Sequence, residues 1–209
     1  MSHGTEFKIF VDSQLHDTDW PKEACVVVSK DVFGTQNPFV VRNQVHRRHS
    51  EQKLIDELKK YLEQKSVLPT ERPVTAVPLK LFLNYSPCSA CSRYLRGFID
   101  DCRSKFSLEI SLEVVFSGIY KIARPSCKRR ECGKSHKKLS HVEENITGLK
   151  FLIEHGATLR TFEERDWREL ASILTLSEER AKEAISKRHT EDSRMRQDLR
   201  ELLELSLGR

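Results

Sequence analysis

The feature that most constrains this chain is a change of period around residue 86. From residue 79 to 85, Leu79, Leu81, Leu83 and Tyr85 alternate with other residues, as on one face of a strand. From Cys88 onward, Cys91, Leu95, Phe98, Ile99 and Cys102 recur at helical steps. The switch falls in Asn84-Tyr85-Ser86-Pro87-Cys88-Ser89-Ala90-Cys91, where Ser86 is expected to cap the helix and Pro87 to open its first turn. Cys88 and Cys91 then share one helical face. The unpaired N–H groups and dipole of a helix N-terminus favour thiolate, the form that binds metal. A strand must end, turn once and start a helix that presents two soft ligands.

Two thiolates leave a zinc site incomplete, and His49 is the expected third ligand, with Glu51 two residues after it. Leu54, Ile55, Leu58 and Leu62 continue from Glu51 at three- and four-residue steps, so His49 is expected to open a second helix. Three protein ligands leave the fourth tetrahedral position open, the catalytic rather than the structural form of zinc. Glu51 is then the expected proton shuttle. The H-x-E…P-C-x-x-C pattern is the signature of zinc deaminases, which act at C4 of cytosine or C6 of adenine. C-x-x-C alone also occurs in redox and structural zinc modules; the proline and the upstream H-x-E separate this chain from them.

The other elements follow from local pattern. A short helix is expected near 6–15, a β hairpin from strands near 24–32 and 39–45, a surface connection over 66–78 and a strand over 109–120. A helix over 145–155 ended by Gly156, a strand over 157–162 and a helix over 166–174 come next. The helix between the last two strands requires a crossover, which suits parallel strands. Ser177 can cap a final helix. It is wholly polar over 186–194, and its apolar stripe of Met195, Leu199, Leu202 and Leu203 is read as internal packing. Cys25 and Cys102 fall in apolar patterns and are expected to be buried.

The order of elements, with His49-Ser50-Glu51, Ser86-Pro87-Cys88-Ser89-Ala90-Cys91, V-V-F-S-G-I-Y ending at Tyr120 and G-L-K-F-L-I-E-H-G-A-T-L from Gly148, resembles the AID/APOBEC family of polynucleotide cytidine deaminases. The likeness spans about residues 7–174. It implies a three-layer α-β-α cytidine-deaminase fold, with a five-stranded mixed sheet, the last two strands parallel, and about six flanking helices. It implies zinc held by His49, Cys88 and Cys91, with Glu51 as acid and base. Tyr120 matches an aromatic residue that helps hold a flipped base, and Asn43 lies near a position that touches the target nucleotide. Read locally, Tyr120 also suits a strand end and Asn43 a turn. Tyr85 stands where the family has tryptophan, and the segment after Tyr120 exceeds the family's loop there.

That segment, about 122–143, is basic. Eight lysines and arginines lie between Lys121 and Lys138 against one acid, Glu131, in a chain of 209 residues and net charge +5. Such a run is either a solvated loop or a phosphate-binding arm. Cys127, Cys132, His136 and His141 within it have the density of a small zinc knuckle, so the choice is between a second, structural zinc and a basic loop. Residues 1–176 are expected to form the deaminase domain and 177–209 a helical extension. The expected activity is conversion of cytosine to uracil in single-stranded DNA, with Tyr85, Ser86, Tyr120, Asn43, Arg42, Arg47 and Arg48 at the substrate. The alternatives are a deaminase of free nucleoside or of RNA, and a zinc-containing nucleic-acid-binding protein without turnover. With no signal peptide and no membrane-length apolar run, the expected location is intracellular, cytoplasm or nucleus.

Overall fold

The computed structural model describes residues 4–13, 24–28, 33, 37–43, 49–65, 75–122, 124–128 and 142–204. In chain order these form α1 (Gly4–Val11), β1 (Ala24–Val28), β2 (Phe39–Asn43), α2 (Ser50–Lys65), β3 (Thr75–Leu83), α3 (Ser89–Phe106), β4 (Leu108–Phe116), α4 (Val142–Glu154), β5 (Thr158–Thr161), α5 (Glu164–Ile173) and α6 (Glu178–Glu204). A short 3-10 turn, Pro125–Lys128, precedes α4.

The strands make one five-stranded mixed sheet in the order β2-β1-β3-β4-β5. The hairpin is antiparallel, with Ala24 opposite Asn43, and β1 also runs antiparallel to β3. β3, β4 and β5 are mutually parallel. This is the mixed α/β sheet with parallel last strands that the sequence implied, and β3–β4 adds a second parallel pair. β3 starts earlier than its pattern suggested and takes Pro78 into the sheet, opposite Ser111. The proline is tolerated because β1 pairs only with residues 81–83, leaving that flank of Pro78 outside the β1 ladder. β4 ends at Phe116, so Tyr120 stands in the loop beyond it.

Period-two alternation sorts side chains to two faces. Leu79, Leu81 and Leu83 of β3 and Leu112, Val114 and Phe116 of β4 join Leu54, Ile55 and Leu58 of α2, Leu95 and Phe98 of α3, and Leu149 and Leu152 of α4 in one core layer. Phe82 and Val115 face the other way, toward Phe7 and Phe10 of α1 and Trp167 and Leu170 of α5. Cys102 is buried in the first layer, as expected; the side chain of Cys25 lies outside the description.

The final helix is continuous through the polar stretch 186–194. Ala181 and Ala184 pack in the second layer and Met195, Leu199 and Leu202 in the first, so α6 spans both and its stripe is internal. Among the described residues no helix is long and apolar enough to cross a membrane.

Candidate metal centre

The parallel strands β3 and β4 deliver their following loops to one end of the sheet, the place where open α/β sheets bind ligands. Two backbone bonds continue the ladder past the strand ends: Ser117 N–H donates to Leu83 O at 3.1 Å and Ser86 N–H to Gly118 O at 2.8 Å. The segment from Leu83 to Cys88 is thereby fixed against the loop carrying Tyr120.

α3 begins at Ser89 with Cys88 in the capping position and no side-chain cap. This corrects the expectation for Ser86 and Pro87, which precede the helix rather than start it. The Ser86 hydroxyl is buried and accepts the Tyr120 N–H at 2.9 Å, so it holds the loop instead of capping. Cys88 stays half-buried at the helix mouth, and Cys91 in the first turn is fully buried. α2 begins at Ser50, placing His49 just before it and Glu51 in its first turn.

His49 Nδ1 lies 3.2 Å from Cys91 Sγ and 3.5 Å from Cys88 Sγ. All three ligand atoms fall within 4.8 Å of one another. A tetrahedral zinc about 2.0 Å from nitrogen and about 2.3 Å from sulfur holds an N and an S about 3.5 Å apart. The spacing and the donor set therefore fit zinc, and the remaining tetrahedral position would belong to no protein atom of this set.

The electrostatics agree. The Cys88 thiol is brought down to about 4, by a hydrogen bond from Cys91 and by His49, against a burial cost. The Cys91 thiol is pushed up, because its proton is shared with Cys88 and because it is buried. The Cys88 sulfur raises the pKa of His49, and burial only partly opposes it. A half-buried anionic sulfur between two proton donors is the charge pattern that a divalent cation can replace.

Glu51 is 6% exposed, and burial pushes its carboxyl above the usual range. Its own backbone N–H, the charge of His49 and the Ser50 hydroxyl, which donates to Oε2 at 3.1 Å, oppose that rise. It is thus a carboxyl beside the ligand cluster whose proton affinity is raised toward the working range of a general acid–base.

Two tyrosines wall the site. The Tyr120 ring lies 6.2 Å from Tyr85 and 6.4 Å from His49, edge-on to both, with Lys121 Nζ 5.1 Å from its centroid. Tyr85 is buried and Tyr120 half-buried.

The other expected contacts are less gathered. Arg42 is paired with Glu6 of α1 at 3.4 Å, and its carbonyl accepts from Lys53. Asn43, the last residue of β2, has a buried Oδ1 that no described residue hydrogen-bonds. Arg47, Arg48, Cys132, His136 and His141 lie outside the described residues, and only the backbone of Cys127 is described, in the 3-10 turn.

The structure also contains a residue that the sequence did not single out. Asn145 is 3% exposed, and its Oδ1 accepts the Ser89 N–H at 3.1 Å while its Nδ2 donates to Tyr120 O at 3.4 Å. In the sequence it is one polar residue near the start of a helix, and nothing local marks it.

No protein-family model matches the sequence, and no curated protein matches it either. Among solved structures, one that is similar is the dCMP deaminase from the cyanophage S-TIM5 in apo form, at 12% identity and a TM-score of 0.35, covering 76% of this chain and 98% of that one.

Proposed function

We propose that this chain is a zinc-dependent hydrolytic deaminase that converts cytosine to uracil in single-stranded polynucleotide, DNA in preference to RNA. The observation that carries the reading is the His49–Cys88–Cys91 cluster with the buried carboxyl of Glu51 beside it. A closed structural site would use a fourth protein ligand; three ligands and an adjacent acid–base group are the catalytic pattern.

His49, Cys88 and Cys91 would hold zinc, which would supply the Lewis acid that makes water nucleophilic near neutral pH. Glu51 accepts the proton that water gives up and delivers it to N3 of the base as C4 is attacked. It then takes the proton of the new C4 hydroxyl and passes it to the exocyclic nitrogen; the C4–N bond breaks as the C4 carbonyl forms, so one water is consumed and one ammonia released. Tyr85 and Tyr120 stand 6.2 Å apart by ring centroid and form the walls against which an unstacked base packs. Such aromatic contacts contribute about 1 to 3 kcal/mol per base and do not select sequence. The preference for a polymer rests on the basic run from Lys121 to Lys138, where phosphates would displace counterions.

The test is deamination by purified protein of a cytosine-bearing single-stranded DNA, the matching RNA, an adenosine-bearing RNA and free cytidine, with Glu51→Ala as control. Uracil from DNA by wild type alone is the expected result. Turnover only of nucleoside or RNA would reassign the substrate, and zinc-loaded protein inactive on all four would reduce the reading to a binding protein.

A further inference from the structure

Helix α4 touches both halves of the site through one side chain. Ser89 N–H is among the first-turn N–H groups of α3 that no intrahelical carbonyl can satisfy, and it follows directly on Cys88. Asn145 Oδ1 accepts it at 3.1 Å, and Asn145 Nδ2 donates to the Tyr120 carbonyl at 3.4 Å. One partner is a donor and the other an acceptor, so only one orientation of the amide satisfies both.

A side chain this short can reach α3 because α4 lies almost backbone to backbone against it. A Cβ on Gly148, one turn after Asn145, would stand 2.5 Å from Ser89 Cα and 3.1 Å from Ser92 Oγ. The other side of the Tyr120 peptide is also tied to the lead-in of the metal helix, since Tyr120 N–H donates to Ser86 Oγ.

We infer that Asn145 is a positioning residue that sets the distance between the metal-ligand turn of α3 and the ring of Tyr120. The inference rests on the deaminase reading for what that distance accomplishes, a base held by Tyr120 while its C4 faces the ligand cluster. The bridge itself is a property of the fold.

Two variants separate its arms. Asn145→Ala removes both bonds. Asn145→Asp keeps an oxygen for Ser89 N–H, where a helix N-terminus favours a negative charge, and removes the donor to Tyr120. Hydrogen exchange is followed in segments 86–92 and 117–122 of metal-free protein, and Co²⁺ affinity is read by its thiolate absorption in chelator competition.

The expected result for Asn145→Ala is faster exchange in both segments and Co²⁺ affinity lower by roughly tenfold or more, the usual cost of losing a group that orients ligands. For Asn145→Asp it is faster exchange in 117–122 alone, with wild-type Co²⁺ affinity. Wild-type exchange in 117–122 of Asn145→Asp overturns the inference, even where the alanine variant fails to fold. So does an aspartate variant that matches alanine in both segments, which would indicate general loss of packing. Wild-type protein that takes up no Co²⁺ would sink the metal reading instead, and the exchange patterns alone would then decide the bridge.

Discussion

Cys88 and Cys91 are three residues apart and differ in what they do with a proton. Cys88 occupies the N-cap position of α3 and receives hydrogen bonds from Cys91 and His49, which bring its pKa down to about 4, while the proton shared with Cys88, together with burial, keeps Cys91 protonated. In metal-free protein at pH 6, Cys88 is therefore expected to alkylate with iodoacetamide ahead of Cys91 and Cys102, with a rate almost flat from pH 6 to 8. Mass spectrometry of the digested protein reads this; a rate still climbing through pH 8 would contradict the thiolate. Glu51 gives a second prediction. Glu51→Gln preserves shape and leaves all three proposed zinc ligands, so bound zinc by elemental analysis should match wild type. Turnover should fall by about 10² to 10⁴, the range for losing a general acid–base. Loss of zinc along with activity would make Glu51 a structural residue.

At the scale of elements, α6 explains its own polarity. Residues 186–194 contain no apolar side chain, yet Arg188 is fully buried and donates to the carbonyls of Ser13 and Ser117 and to Asp192. Asp192 also accepts the Trp167 indole N–H at 2.7 Å. Farther along, Glu191 pairs with Arg124 at 2.7 Å, and Asp198 accepts both the backbone N–H and the hydroxyl of Ser126. The polar face of α6 thus grips the loop after β4 at Ser117, Arg124 and Ser126, on either side of Tyr120. Removing one partner of a buried charge pair costs about 3 to 5 kcal/mol. Arg188→Ala should lower unfolding free energy in urea by that amount, with the two abandoned carbonyls contributing; a loss under about 1 kcal/mol would show that water replaces the guanidinium.

For the whole molecule, stability against acid is tied to the layer between sheet and α5. Asp166 is fully buried and bridges Arg160, through both terminal guanidinium nitrogens, and Lys80 at 3.0 Å. Burial alone would raise its pKa; Arg160, the Glu163 N–H and Lys80 outweigh that and hold it below the usual carboxylate range. A depressed native pKa adds stability that is fully present above the unfolded value and lost as pH falls through the native one. Asp166→Asn should be less stable than wild type by about 3 kcal/mol at pH 7. The gap should narrow as pH falls through the ordinary carboxylate range and below it, where first the unfolded and then the native carboxyl takes up a proton, and denaturant curves at about pH 7, 5 and 3 measure it. A gap unchanged at pH 3 would remove the ionic explanation. The second whole-molecule property is net charge. If three phosphates are neutralised, affinity for single-stranded DNA should drop about 20-fold between about 50 and about 200 mM salt, from a slope of about −0.7 per contact. A flat response in fluorescence anisotropy would exclude a phosphate-tracking surface.

Local chemistry by itself determined the kind and order of the elements and the candidate ligand set. Period two and period 3.6 are properties of neighbouring residues, so α2 and α3 were legible close to their observed bounds and the strands in kind and order, with β3 starting earlier and β4 ending sooner than their patterns, and His49, Glu51, Cys88 and Cys91 were marked by type and spacing. Tertiary structure decided what no window of sequence contains. Ser86 carries the residue type of a helix cap, yet the approach of the β4 loop gives its hydroxyl the Tyr120 N–H to accept. Asn145 acquires meaning only when Gly148 lets α4 close on Ser89. Arg188 in a polar stretch reads as solvated, and becomes a core residue because two carbonyls from Ser13 and Ser117 converge on it. Such roles come from hydrogen-bond partners distant in sequence, and the physical reason they are not legible is that a polar group's partner is fixed by the packing of elements, not by its neighbours in the chain.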